Sequence, residues 1–120
     1  MILILGGTRD SRFIADKIIE KKLKAVITTT TDYGASLLPD HPHLIKKIGR
    51  YNQQGLKDLI NEYSVNLIID ATHPYAENIS RNIIEVSRKL DIDLYRYERL
   101  REKNTHGKYF DTYDEMIHCL

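Results

Sequence analysis

Residues 65–76 read V-N-L-I-I-D-A-T-H-P-Y-A, and they constrain the fold more than any other stretch of the chain. Val65, Leu67, Ile68 and Ile69 make an apolar run that predicts a buried strand. Asp70 ends it. Ala71, Thr72, His73, Pro74 and Tyr75 follow without a spacer, and a long helical pattern then begins. Pro74 suits the first turn of that helix, where the amide it lacks would go unpaired anyway. Strand, short polar turn and helix in immediate succession form half of a βαβ unit, and in such sheets ligands bind outside the carboxyl ends of the strands. Asp70, Thr72, His73 and Tyr75 are expected at that edge. A plainer use of the same residues stands beside this one, since an Asp at a strand end caps turns and a His before a Pro serves as a solvated cap.

The start of the chain has the same grammar. Met1–Leu5 is an apolar strand, Gly6-Gly7-Thr8 breaks it, and Arg12–Lys22 shows helical spacing with Phe13, Ile14, Ile18 and Ile19 on one side. Glycines let a backbone approach a phosphate, the first amides of a helix attract its charge, and Thr8 can add a hydroxyl donor. The full G-x-G-x-x-G fingerprint is missing, because Thr8, Arg9, Asp10 and Ser11 follow the glycine pair. A simple tight turn therefore remains the alternative. Ala25–Thr29 is the second strand, followed by Thr30, Thr31, Asp32 and Tyr33. Hydroxyl side chains at this strand's end suit the 2′-phosphate of NADPH, whereas Asp32 keeps a ribose contact, and hence NADH, open. Threonines also simply favour strands.

The rest alternates in the same way. A loop over Ala35–His43 leads to a third strand, Leu44–Ile48, with Arg50 just beyond it as a clamp for a phosphate or carboxylate, or as a solvated surface residue. A short helix over Leu56–Ser64 precedes the opening motif. The helix that follows, Tyr75–Leu90, turns Ile79, Ile83, Val86 and Leu90 inward. Asp91–Tyr97 is a fifth strand, and Arg96 and Arg99 sit in a basic, aromatic run that lines a pocket for an acidic substrate or forms an exposed edge. Lys108–Phe110 resembles a further short strand. The helical pattern from Tyr113 is uncapped at Leu120, which predicts that the protein continues. The expected fold class is α/β, a Rossmann-like three-layer domain with a mostly parallel sheet of about five strands. It covers 1–101, and 102–120 form a linker and the start of a truncated second α/β domain.

Eighteen basic against 17 acidic residues give a net charge of +1, which removes any global electrostatic case for nucleic acid or an anionic membrane as partner. No apolar run is long enough for a transmembrane helix, and the N-terminus reads as a strand, not a signal peptide. A single cysteine, Cys119, rules out an internal disulfide, and the scattered histidines give no metal site. A cytoplasmic protein of unknown oligomeric state is the expectation.

Ile4–Thr8 (I-L-G-G-T), Gly49 ahead of Gly55-Leu56, Asp70–Ala76 (D-A-T-H-P-Y-A) and Arg96-Tyr97-Glu98-Arg99 together resemble the precorrin-6A reductase family of cobalamin (vitamin B12) biosynthesis, including its cobalt-precorrin-6A branch. The D-A-T-H-P-Y-A block is the specific element. Where family members often carry a proline after the last arginine, Leu100 stands here. The resemblance implies two α/β domains with the substrate between them, this chain being the N-terminal one. It implies reduction of a ring double bond of a tetrapyrrole with NADPH, or with NADH in the cobalt branch. It assigns Gly6, Gly7 and Thr8 to the cofactor pyrophosphate, Thr29, Thr30, Thr31 and Tyr33 to the adenosine ribose, and Asp70, Ala71 and Thr72 to the nicotinamide side. His73 and Tyr75 become the candidate catalytic residues, and Arg96 and Arg99 partners for substrate carboxylates; Arg50 joins them as a candidate from its place after the third strand. The alternatives are a nucleotide-binding domain without catalysis and another NAD(P)-dependent reductase. A short-chain dehydrogenase is disfavoured by the absent third glycine and Tyr-x-x-x-Lys pair.

Overall fold

The computed structural model describes residues 1–73 and 76–97, together with 108–110 as a strand. The chain runs β1 (Ile2–Leu5), α1 (Arg9–Glu20), β2 (Ala25–Thr29), α2 (Asp32–Ser36), β3 (Leu44–Ile48), α3 (Gln53–Tyr63), β4 (Leu67–Asp70), α4 (Glu77–Leu90), β5 (Asp93–Tyr97) and β6 (Lys108–Phe110). The strands form one sheet in the order β3-β2-β1-β4-β5-β6, and each neighbouring pair is parallel. This is the doubly wound order of dinucleotide-binding folds. β6 adds a sixth strand to the expected five. It lies past residue 101, yet it pairs with β5 from Tyr95↔Lys108 to Tyr97↔Phe110 and so continues the same sheet.

Side chains alternate across the sheet and define three layers. Ile2 and Ile4 of β1 pack with Ala25 and Ile27 of β2 against Ile14, Ala15 and Ile18 of α1. Leu3 and Leu5 pack on the other face with Leu56, Leu59 and Ile60 of α3 and Ile83 and Val86 of α4. β1 is buried along its whole length, which is why it reads as a continuous apolar run and not an alternating one. Burying each such Leu or Ile side chain contributes about 1.5–3 kcal/mol. Among the described residues no helix is long and apolar enough to cross a membrane.

Capping decides where the helices begin. Hydrophobic spacing predicts α1 from Arg12, but it starts at Arg9 because Thr8 and Ser11 form a reciprocal capping box. α3 likewise starts at Gln53, before Leu56, since the Asn52 carboxamide oxygen accepts from the Gly55 amide at 2.8 Å. α2 is a helix not expected from the sequence; it begins before the predicted loop Ala35–His43 and reaches its first two residues, with the Thr31 hydroxyl accepting from the Gly34 amide at 2.9 Å. α4 starts at Glu77, two residues later than predicted; Pro74 and Tyr75 lie outside the described residues.

Candidate functional site

Strand order reverses between β1 and β4. Leu5, the last residue of β1, lies opposite Thr28 on one side and Asp70 on the other. The turns that follow, 6–8 and 71–73, therefore leave the sheet side by side at its carboxyl edge, where the crevice of such folds lies. The edge itself is fastened by main-chain bonds, Gly6 amide to Thr28 carbonyl and Ala71 amide to Leu5 carbonyl, both 3.0 Å.

Both glycines are required, for different reasons. A Cβ on Gly6 would stand 2.8 Å from the Thr28 carbonyl oxygen, too close for any side chain. Gly7 adopts φ +100°, a conformation that L-residues rarely reach, and a Cβ there would meet nothing within 4 Å. Thr8 next caps α1 and also ties the two turns together. Its hydroxyl donates to the Ala71 carbonyl at 2.7 Å while accepting from the Ser11 amide at 3.1 Å. The hydroxyl proton expected for a phosphate is thus given to the neighbouring turn, and main-chain amides at the start of α1 remain as the anion-attracting groups of this corner.

The second turn rests on a buried polar cluster. Asp70, 2% exposed, accepts from the Thr72 amide at 3.1 Å and the Thr72 hydroxyl at 2.6 Å through Oδ1, and from the Ser80 hydroxyl at 2.8 Å through Oδ2. Arg96, 9% exposed, closes the group: its Nη1 lies 2.9 Å from Asp70 Oδ1, 3.1 Å from the Thr72 hydroxyl and 3.4 Å from that of Ser80. Register makes this contact, because β4 and β5 pair Asp70 directly with Arg96. The sequence assigns Asp70 to a cofactor and Arg96 to a substrate carboxylate. In the folded chain the two face inward and neutralise each other. Ser80 carries no motif signal; its only sequence trace is its place on the helical stripe that continues through Ile83 and Ser87, both buried. His73, by contrast, is exposed immediately after the cluster, and its carbonyl accepts from the Ala76 amide at 2.9 Å.

At the end of β2, Thr29 is buried and its hydroxyl donates to the Thr31 carbonyl at 3.2 Å. Thr30 and Thr31 are exposed, and Tyr33 stands out into solvent at 73% exposure. Arg50 is exposed beyond β3, at the sheet edge remote from β5. Four strand spacings, about 19 Å in all, separate the two strands that precede Arg50 and carry Arg96. The fold thus brings Gly6, Gly7, Thr8, Asp70, Ala71, Thr72 and His73 to one corner, sets Thr30, Thr31 and Tyr33 beside it on β2, and leaves Arg50 apart. Tyr75 and Arg99 lie outside the described residues.

Known proteins resemble this chain in fold and in sequence. The WbmH enzyme of Bordetella bronchiseptica, solved in complex with NAD+, superposes over 81% of this chain with a TM-score of 0.68 at 18% identity, a likeness of fold. The solved structure of the CobK precorrin-6A reductase superposes over 87% of this chain and 41% of its own, with a TM-score of 0.70 and 27% identity. The cobalt-precorrin-6A reductase of Methanocaldococcus jannaschii is 40% identical over 107 residues, covering 88% of this chain and 42% of that protein. That of Priestia megaterium is 36% identical over 117 residues, 96% of this chain and 46% of that protein. The chain thus spans less than half the length of these curated relatives. The model of the precorrin-6x reductase CbiJ/CobK family matches residues 1–120, the whole chain, and the chain belongs to that family.

Proposed function

We propose that this chain is the dinucleotide-binding part of a precorrin-6A or cobalt-precorrin-6A reductase of cobalamin biosynthesis. The observation that carries this reading is the corner at the strand-order reversal, where the Gly6–Thr8 turn and the Asp70–His73 turn are joined by the Thr8–Ala71 hydrogen bond. Family membership names the reaction, and the corner supplies a place for it.

The residues fit a nicotinamide dinucleotide. The Gly7 main chain is open where a side chain would otherwise stand, and the N-terminus of α1, which attracts an anion, follows it directly. Gly6, Gly7 and the Thr8 turn hold the pyrophosphate through the backbone. Thr30 and Thr31 border the ribose, and the exposed Tyr33 ring offers a surface for the adenine. When bound, the nicotinamide supplies the hydride. The turn 71–73 excludes water from one side of the site and presents His73, which gives the proton that hydride addition to the macrocycle requires; Tyr75 is the second candidate for that proton. Arg99, outside the described residues, pairs with a carboxylate on the rim of the tetrapyrrole, whereas Arg50 stands too far along the sheet edge to share that role.

Calorimetric titration of the full-length protein with NADPH and then NADH tests this first. Binding of NADPH in preference supports the hydroxyl reading of Thr30 and Thr31. Binding of NADH in preference assigns the ribose to Asp32. Binding of neither, together with no reduction of precorrin-6A, removes the proposal.

A further inference from the structure

We infer that Ser80 and Arg96 are positioning residues, which act through Asp70 and Thr72 to hold the turn that presents His73. The inference rests on the reductase reading above and adds to it the device that shapes the site. Asp70 is not available to a ligand: it is 2% exposed, and both of its oxygens already accept from Thr72, Ser80 and Arg96. The cluster gathers groups from three elements, since Asp70 ends β4, Ser80 lies in the first turns of α4 and Arg96 lies on β5. Their common target is Thr72, which receives Arg96 at 3.1 Å, lies 3.3 Å from the Ser80 hydroxyl, and donates both its amide and its hydroxyl to Asp70. Ala71 is held separately, by the Leu5 carbonyl and the Thr8 hydroxyl. The main chain is thus pinned on both sides up to residue 72, immediately ahead of the exposed His73. A pinned backbone ahead of one exposed side chain gives that side chain a fixed point of origin, and a displacement of about 1 Å at a reacting group costs up to ~100-fold in rate.

The test uses the full-length protein with Ser80→Ala, Ser80→Thr and Arg96→Lys. Two quantities are read: amide exchange at Thr72 and steady-state turnover with saturating nicotinamide cofactor. Ser80→Ala is expected to raise Thr72 exchange and to lower kcat about tenfold, with the KM for the cofactor within about twofold, because the turn moves while the phosphate corner does not. Ser80→Thr, which restores the hydroxyl, recovers both quantities. Arg96→Lys keeps the charge without the planar fork and falls between. Unchanged Thr72 exchange in Ser80→Ala overturns the inference, as does unchanged kcat, or a kcat that Ser80→Thr does not recover. An unsubstituted protein that reduces no precorrin overturns the functional reading instead, and the exchange data at Thr72 then decide the positioning role without reference to turnover.

Discussion

Gly7 and Thr8 show how much a single residue settles at the strand-order reversal. A Cβ at Gly7 meets no atom within 4 Å, so the strain expected from valine there is one of backbone conformation: φ +100° is strained for a β-branched residue. Gly7→Val is expected to cost about 1–3 kcal/mol of stability, and the relaxation of the turn to abolish dinucleotide binding; urea unfolding and calorimetry read the two effects separately. Undiminished NADPH or NADH affinity in that variant would remove the glycine turn from the cofactor site. Thr8→Ala removes the α1 cap, worth about 1 kcal/mol, and the bond to Ala71, worth about another. A loss near 2 kcal/mol in the urea midpoint analysis is expected, with Thr8→Ser restoring most of it. Full stability in Thr8→Ala would mean that neither bond matters in solution. These local roles were legible in the sequence only in outline. A glycine pair after an apolar strand announces a turn, but the carbonyl that Gly6 must avoid belongs to β2, and the acceptor of the Thr8 hydroxyl belongs to the chain 63 residues further on.

Elements follow hydrophobic period closely in their middles and capping at their ends. α4 packs Ile83 and Val86, both fully buried, against the face that includes Leu3, Leu5 and Ile68. Ile83→Ala is expected to cost about 2–5 kcal/mol, measured by urea unfolding, because the sheet beneath cannot collapse into the space. A loss below about 1 kcal/mol would show that α4 is loosely seated, contrary to the complete burial of Ile83. β2 and β3 keep the bounds that their patterns predict; β2 is buried throughout, whereas in β3 only Leu44 is buried and Ile48 is exposed. α1 and α3 begin earlier than their apolar stripes, since a polar cap adds residues that hydrophobic period does not register.

Among the described residues the strands form one parallel sheet centred on the reversal: β1 and β4 are flanked on both sides by other strands and covered on both faces by helices. Amide exchange is expected to be slowest in β1 and β4 and faster in β3, the edge strand at one end; equal rates would contradict a cooperative core centred on the reversal. The alternation of strands and helices, the apolar character of β1, the buried character of β4 and the family could all be read from the chain, since these depend on composition, period and an unbroken motif within a short stretch. Four features needed the folded chain: Asp70 and Arg96 face each other, Ser80 joins them, Thr8 binds Ala71, and β6 extends the same sheet. The physical reason is that strand register and crossover connections bring together residues tens of positions apart, and a hydrogen bond depends on where those residues arrive, not on where they stand in the chain.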